Sequence, residues 1–202
     1  MGFYIMQDLE MKFIPYNLLA LDFEFITTRV VKNKAKKYLQ EIIEVGAVYK
    51  EDDKILEFES VIKPRNYIQS KHKPLYAIYA GRFSEDKIED GMDLEKAINE
   101  LKKIYIPGET IWISWGKSEY DILKTICKDY EISFPFLKDD YLDLSKEFAQ
   151  FYKIKKSVSL DKALNMLDIP SLSRHEALPD ARALMRITER MFMEGYEIEE
   201  KY

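Results

Sequence analysis

The run Leu18-Leu-Ala-Leu-Asp-Phe-Glu-Phe25 is apolar on both sides of two carboxylates, Asp22 and Glu24. Apolar residues at both parities suit a strand buried on both faces. Side chains two apart on a strand point the same way, so Asp22 and Glu24 project together from one side of a core strand. Two unpaired carboxylates there would repel each other and lose hydration, at a cost of several kcal/mol per ion. A positive charge must compensate, and a hard divalent cation does so through carboxylate oxygens. The plainer alternative leaves Glu24 solvated at the strand exit and Asp22 paired with a lysine or capping a turn. The pair alone does not choose between them.

At 202 residues the chain is long enough for one domain with a sizeable core. We expect a short arm over 1–16, a single domain over 17–195 and a tail over 196–202. No apolar stretch approaches the ~20 residues that span a membrane. The N-terminus lacks the basic region and apolar core of a signal peptide. The one cysteine, Cys127, excludes an internal disulfide and a zinc cluster, and a cytoplasmic location is the default expectation. A net charge of −5 argues against broad coating of nucleic acid. It does not exclude a nuclease, which needs only a local basic path and whose ligand carboxylates inflate the negative count.

Periodicity predicts strands over Leu18–Phe25, Glu41–Tyr49 and Lys54–Ile62, the last two joined by the acidic turn Glu51-Asp-Asp53. Leu94, Ala97, Ile98, Leu101 and Ile104 give a helix over Asp93–Tyr105, ended by Pro107-Gly108. A strand over Thr110–Trp115, a helix over Ser118–Tyr130 and a short strand over Tyr141–Leu144 follow. Helices to about Tyr152, over Leu160–Leu167, and from Pro179 to about Glu194 complete the chain. Three strands and then alternating helix and strand make a mixed α/β plan.

Three further groups are candidates. Ser118 and Asp121 match the S-x-x-D pattern of a helix-start capping box, so Asp121 serves either the helix N-terminus or a metal at the same end of the sheet as Glu24. Pro179 fits a first helical position, which places Asp180 in a first turn, and His175 falls in the loop before it. A helix-start residue and a loop histidine bonded to backbone are the plainer readings of these two. The other histidine, His72, has only basic neighbours.

Together these pieces carry a resemblance. The chain is similar to DEDDh-type 3′–5′ exonucleases, the group of ribonuclease T and the DNA polymerase III proofreading subunit. Within it, the likeness is to histone-mRNA and small-RNA 3′-end exoribonucleases and to bacterial KapD-like proteins. The matching pieces are Asp22-Phe-Glu24, Glu41-Ile-Ile-Glu-Val-Gly-Ala-Val48, Trp115-Gly116 leading to Tyr120-Asp121, Leu142-Asp-Leu-Ser145 and His175-x4-Asp180-Ala181-Arg182. Three departures stand out. The family's Leu-Thr-Gly-Ile-Thr-like turn corresponds to Tyr79-Ala-Gly-Arg-Phe-Ser84. Its frequent Asp-Asp-Ala corresponds to Pro179-Asp180-Ala181. The spacing from Trp115 to Asp121 is also longer than in the nearest relatives, which makes Glu119 a competitor for the role of Asp121.

The resemblance implies a ribonuclease H-like fold, with three antiparallel strands continuing into parallel ones. It implies that Asp22, Glu24, Asp121 and Asp180 hold two divalent cations, Mg²⁺ or Mn²⁺, with His175 as general base. The expected reaction removes 5′-nucleoside monophosphates from the 3′ ends of single-stranded RNA or DNA. Expected substrate contacts are Phe23, Phe25, Gly81, Arg82, Phe83, Trp115 and Arg174, some by stacking on bases. The basic segment Arg29-Val-Val-Lys-Asn-Lys-Ala-Lys-Lys37 follows strand one directly. It either tracks a phosphate backbone or is a solvated loop. A catalytically impaired nucleic-acid-binding module of the same fold, or a small-nucleotide phosphodiesterase, would share most of these features.

Overall fold

A computed structural model describes residues 17–32, 35–66, 82–170 and 175–198 and, over 28–38, only the backbone. Five strands form one open sheet: β1 (Asn17–Lys32), β2 (Ala35–Glu51), β3 (Lys54–Val61), β4 (Thr110–Ser114) and β5 (Tyr141–Asp143). Their order across the sheet is β3-β2-β1-β4-β5. β1, β2 and β3 are antiparallel neighbours, whereas β4 pairs with β1, and β5 with β4, in parallel. This is the mixed, ribonuclease H-like sheet that the sequence predicts. The described helices are α1 (Glu85–Glu89), α2 (Leu94–Lys102), α3 (Ser118–Tyr130), α4 (Leu144–Phe151), α5 (Leu160–Met166) and α6 (Ala177–Met193).

The double-sided burial of β1 follows its sequence parity. Leu18 and Ala20 join Val48, Ile113 and Leu142 in a core layer closed by Phe148, Leu160, Leu164, Leu184, Ile187 and Met191 from α4, α5 and α6. Leu19, Leu21 and Phe23 face the opposite layer, with Trp112, Leu101 of α2 and Leu123 and Ile126 of α3. Asp22 and Glu24 continue the α6-side parity beyond Ala20, where the apolar row gives way to carboxylates. After α6 the chain turns back, and Tyr196 packs on Phe151 and Phe192 and donates to Glu147 at 3.0 Å.

Three local expectations change, and one short helix is added. β1 and β2 run well past the predicted strand ends and meet as a long hairpin, so the basic segment is an extended ribbon along its described residues. The last helix begins at Ala177, which makes Pro179 its third residue; the first four N–H groups of a helix lack intrahelical acceptors, so the ring still costs no bond. Ser118 lies inside α3, whose cap position is Lys117 with no side-chain cap bond, so the capping box does not form. α1, capped by Ser84 accepting from the Lys87 N–H, is too short to show a helical period.

Candidate active site

The site forms midway along the central strand β1, just beyond the residues that pair with β4. Asp22, Glu24 and Asp180 each offer a carboxylate oxygen within 4.8 Å of the other two, and all three residues are buried. Asp180 reaches the pair because α6 lands directly on β2. Gly46 stands opposite Asp22 in the β1–β2 register, and a Cβ on it would lie 2.1 Å from the carbonyl carbon of Ala177. Only a residue without a side chain admits the helix start at this depth.

Glu24 stands opposite Glu44 in the same register, just before a bulge that leaves Ile43 without a partner. Like charges directly across a ladder are destabilising, and two positive groups offset them here. The Ala177 N–H donates to Glu44 Oε2 at 3.0 Å. Arg82 donates to the same oxygen at 2.6 Å through Nη2, while its Nη1 lies 4.0 Å from Glu24 Oε1. That Nη1 is buried and makes no hydrogen bond among the described residues. The expectation from sequence puts Arg82 at the substrate; it sits instead among the carboxylates.

The structure does not bring Asp121 into this group. Its side chain is 58% exposed and pairs with Lys117 at 3.5 Å on the outer face of α3. Residues two apart on a helix point about 200° apart, so Asp121 and Glu119 cannot both face the sheet. Glu119 does so: it is buried, and its Oε2 has no hydrogen-bond partner among the described residues. Burial pushes its carboxyl up to about 7, helped by the charges of Asp143 and Glu24. Glu119 lies outside the three-carboxylate group but close enough to feel Glu24. The helix phase sets which of the two faces the sheet, and sequence spacing alone does not show it.

His175 is exposed, immediately ahead of α6, with φ at +61°. The aromatic expectations change as well. Phe83 is enclosed by Ile26, Ile43 and Ile88, and Phe23 is packed between the sheet and its helices, so neither presents a ring face to a base. Phe25 is partly buried and packs on that same layer, 6.2 Å from the Phe23 ring. Trp115 is partly buried against Phe148, and its indole N–H donates to Val158 at 3.0 Å. Gly81 and Arg174 lie outside the described residues. Glu44, Gly46 and Glu119 are the site residues that sequence reasoning did not assign; only the spacing anomaly around Glu119 offered a signal.

Comparison with known proteins agrees with this fold. The exonuclease family RNase T matches residues 19–188. The Bacillus subtilis (strain 168) protein named "Probable 3′-5′ exonuclease KapD" is 31% identical over 169 residues, covering 82% of this chain and 79% of that one. The nuclease domain of 3′hExo, a DEDDh family member solved with rAMP, superposes with a TM-score of 0.71 at 21% identity, over 92% of this chain and 96% of that one. A full-length 3′-exonuclease gives a TM-score of 0.74 at 20% identity; the match covers 92% of this chain and 64% of that one. S. pombe Pop2p, in its Mg²⁺- and Mn²⁺-bound form, gives 0.57 at 16% identity, over 89% of this chain and 82% of Pop2p.

The chain belongs to the exonuclease family. It is accordingly an enzyme, a nuclease of the hydrolase class. Among the described residues no helix is long and apolar enough to cross a membrane.

Proposed function

We propose that the protein is a metal-dependent 3′–5′ exonuclease that releases 5′-nucleoside monophosphates from single-stranded RNA or DNA. The observation that carries this reading is the meeting of Asp22, Glu24 and Asp180, from segments remote in sequence, at one buried point of a chain in this family. Three hard oxygen donors with little solvent around them fit a divalent cation and little else. Glu119, with an unpartnered buried oxygen beside Glu24, is the fourth carboxylate in this proposal, in place of Asp121.

Two bound cations, Mg²⁺ or Mn²⁺, would supply positive charge to the attacking and leaving oxygens of an in-line displacement. The chain's own residues do the rest. Asp22 and Glu24 are fixed by the β1–β2 ladder, and Asp180 by the first turn of α6, so the donors need no rearrangement to converge. A ring nitrogen of His175 takes the proton of the attacking water, from an exposed position that leaves room for a strand end. The ionised carboxylates repel a phosphodiester in the absence of cations, which makes activity strictly metal-dependent.

The test uses 5′-labelled single strands of RNA and DNA with Mn²⁺, Mg²⁺ or EDTA, resolved at single-nucleotide steps. Shortening from the 3′ end, abolished by EDTA and by Asp180→Ala, is the expected result. Internal cuts, or turnover that survives Asp180→Ala, would overturn the reading.

A further inference from the structure

The hairpin formed by the far ends of β1 and β2 extends beyond the site, past the strands that flank it among the described residues. Its register runs from Phe25↔Ile42 to Lys32↔Ala35. β3 pairs with β2 only over Glu44–Glu51, and β4 with β1 only over Asn17–Ala20. Past Ile26, the last buried side chain described on β1, the ribbon is two-stranded among the described residues. A two-stranded ribbon is at best marginally stable alone, so it adds little to the fold. It begins one residue past Glu24, and eight residues at ~3.3 Å each carry it about 26 Å outward.

Its root is firmly held. Glu41, 1% exposed, accepts from the Asn66 N–H at 2.9 Å, from the Asn66 side-chain amide at 3.1 Å, and from the Tyr130 hydroxyl of α3. The ribbon is therefore anchored to the body at its root, beside the carboxylate site.

Its charge is of one sign. From Phe25 to Gln40 the sequence has Arg29, Lys32, Lys34, Lys36 and Lys37 and no acid, in a protein of net charge −5. Directly paired residues share a face, so Arg29 and Lys36 fall on one face and Lys32 and Lys37 on the other. Edge lysines also discourage pairing between copies of a chain. That role alone needs no particular placement, whereas this run starts at the site of an enzyme whose substrate is a polyanion.

We propose that this hairpin is a track for the phosphate backbone of the single strand on the 5′ side of the bond being cut. The proposal rests on the exonuclease reading above. It adds that substrate grip lies along an arm outside the body, so that long strands are held better than short ones.

The test compares the full-length protein with R29Q/K32Q/K36Q/K37Q. Binding of a labelled long single strand is read in EDTA against salt concentration, apart from any cleavage. Hydrolysis of that strand and of a dinucleotide is then measured with Mn²⁺. We expect the variant to bind the long strand roughly tenfold or more weakly at low salt. Its salt slope should be shallower by about 0.7 for each phosphate that the arm no longer neutralises. kcat/KM should fall far more for the long strand than for the dinucleotide. Unchanged binding and salt slope would overturn the track, and so would an equal loss on both substrates; a variant that only self-associates would mark the lysines as edge guards. Absence of 3′ shortening by the wild-type protein, with arm-dependent binding intact, would sink the exonuclease reading and leave the track standing.

Discussion

Gly46 stands directly opposite Asp22 in the β1–β2 ladder, and the space above it is filled by the Ala177 backbone. One missing side chain on β2 thereby fixes how close α6, and with it Asp180, comes to the carboxylate pair on β1. Gly46→Ala should cost at least ~3 kcal/mol, because the added methyl meets backbone rather than a side chain that can turn away. A thermal melt checks this. A Tm within a degree or so of wild type would mean that the helix start yields freely.

The two acidic residues of α3 should behave oppositely. Glu119→Gln should lower turnover by at least the ~10–100-fold typical of a lost metal-site support. Asp121→Asn removes only an exposed ion pair with Lys117, an interaction worth under ~1 kcal/mol, and should leave kcat near wild type. Steady-state rates with Mg²⁺ and Mn²⁺ decide; the reverse ranking would return Asp121 to the site.

Stability of the metal-free protein should depend on pH through Glu119. Its carboxyl is raised from 4.5 to about 7, chiefly by burial, so folding favours the protonated form. The favourable contribution is complete below about 4.5 and is lost as pH rises through about 7. The shift corresponds to about 3 kcal/mol at most. Denaturant melts in EDTA should show Glu119→Gln gaining on wild type across that window, with the gap closing when Mg²⁺ is added above it. Parallel curves for the two proteins at every pH would contradict the placement of Glu119.

Arg82 should matter most when cations are absent. Arg82→Gln leaves Glu24 and Glu44 facing each other and removes the 2.6 Å bond to Glu44. Breaking a buried pair of this kind costs about 3–5 kcal/mol. We expect a larger drop in Tm in EDTA than in Mg²⁺, with partial rescue by Arg82→Lys. Equal drops in the two conditions would mean that the guanidinium serves packing alone.

The fold was legible because β1 writes its burial into both parities of a short run, and the alternation of helix and strand after β3 leaves few topologies. Asp22 and Glu24 were legible for the same local reason, a separation of two on a strand. The exposed placement of Asp121 was not legible, because where α3 begins relative to the sheet is a tertiary fact. The bonds from Arg82 and from Ala177 to Glu44 span 38 and 133 residues, and no periodic signal connects such positions. Phe23 and Phe83 show the converse, since an aromatic beside a motif reads the same whether it stacks on a base or fills the core. The extra length of β1 and β2 escaped notice because a lysine-rich run has weak strand propensity and its sequence carries no clear apolar period.

The Arg82 guanidinium between Glu24 and Glu44 gives the chain its own counter-ion. Many small metal sites leave their protein unfolded until the ion arrives. Under the proposed loading, a charge that the chain carries itself would leave less of the folding to the ion than in such sites.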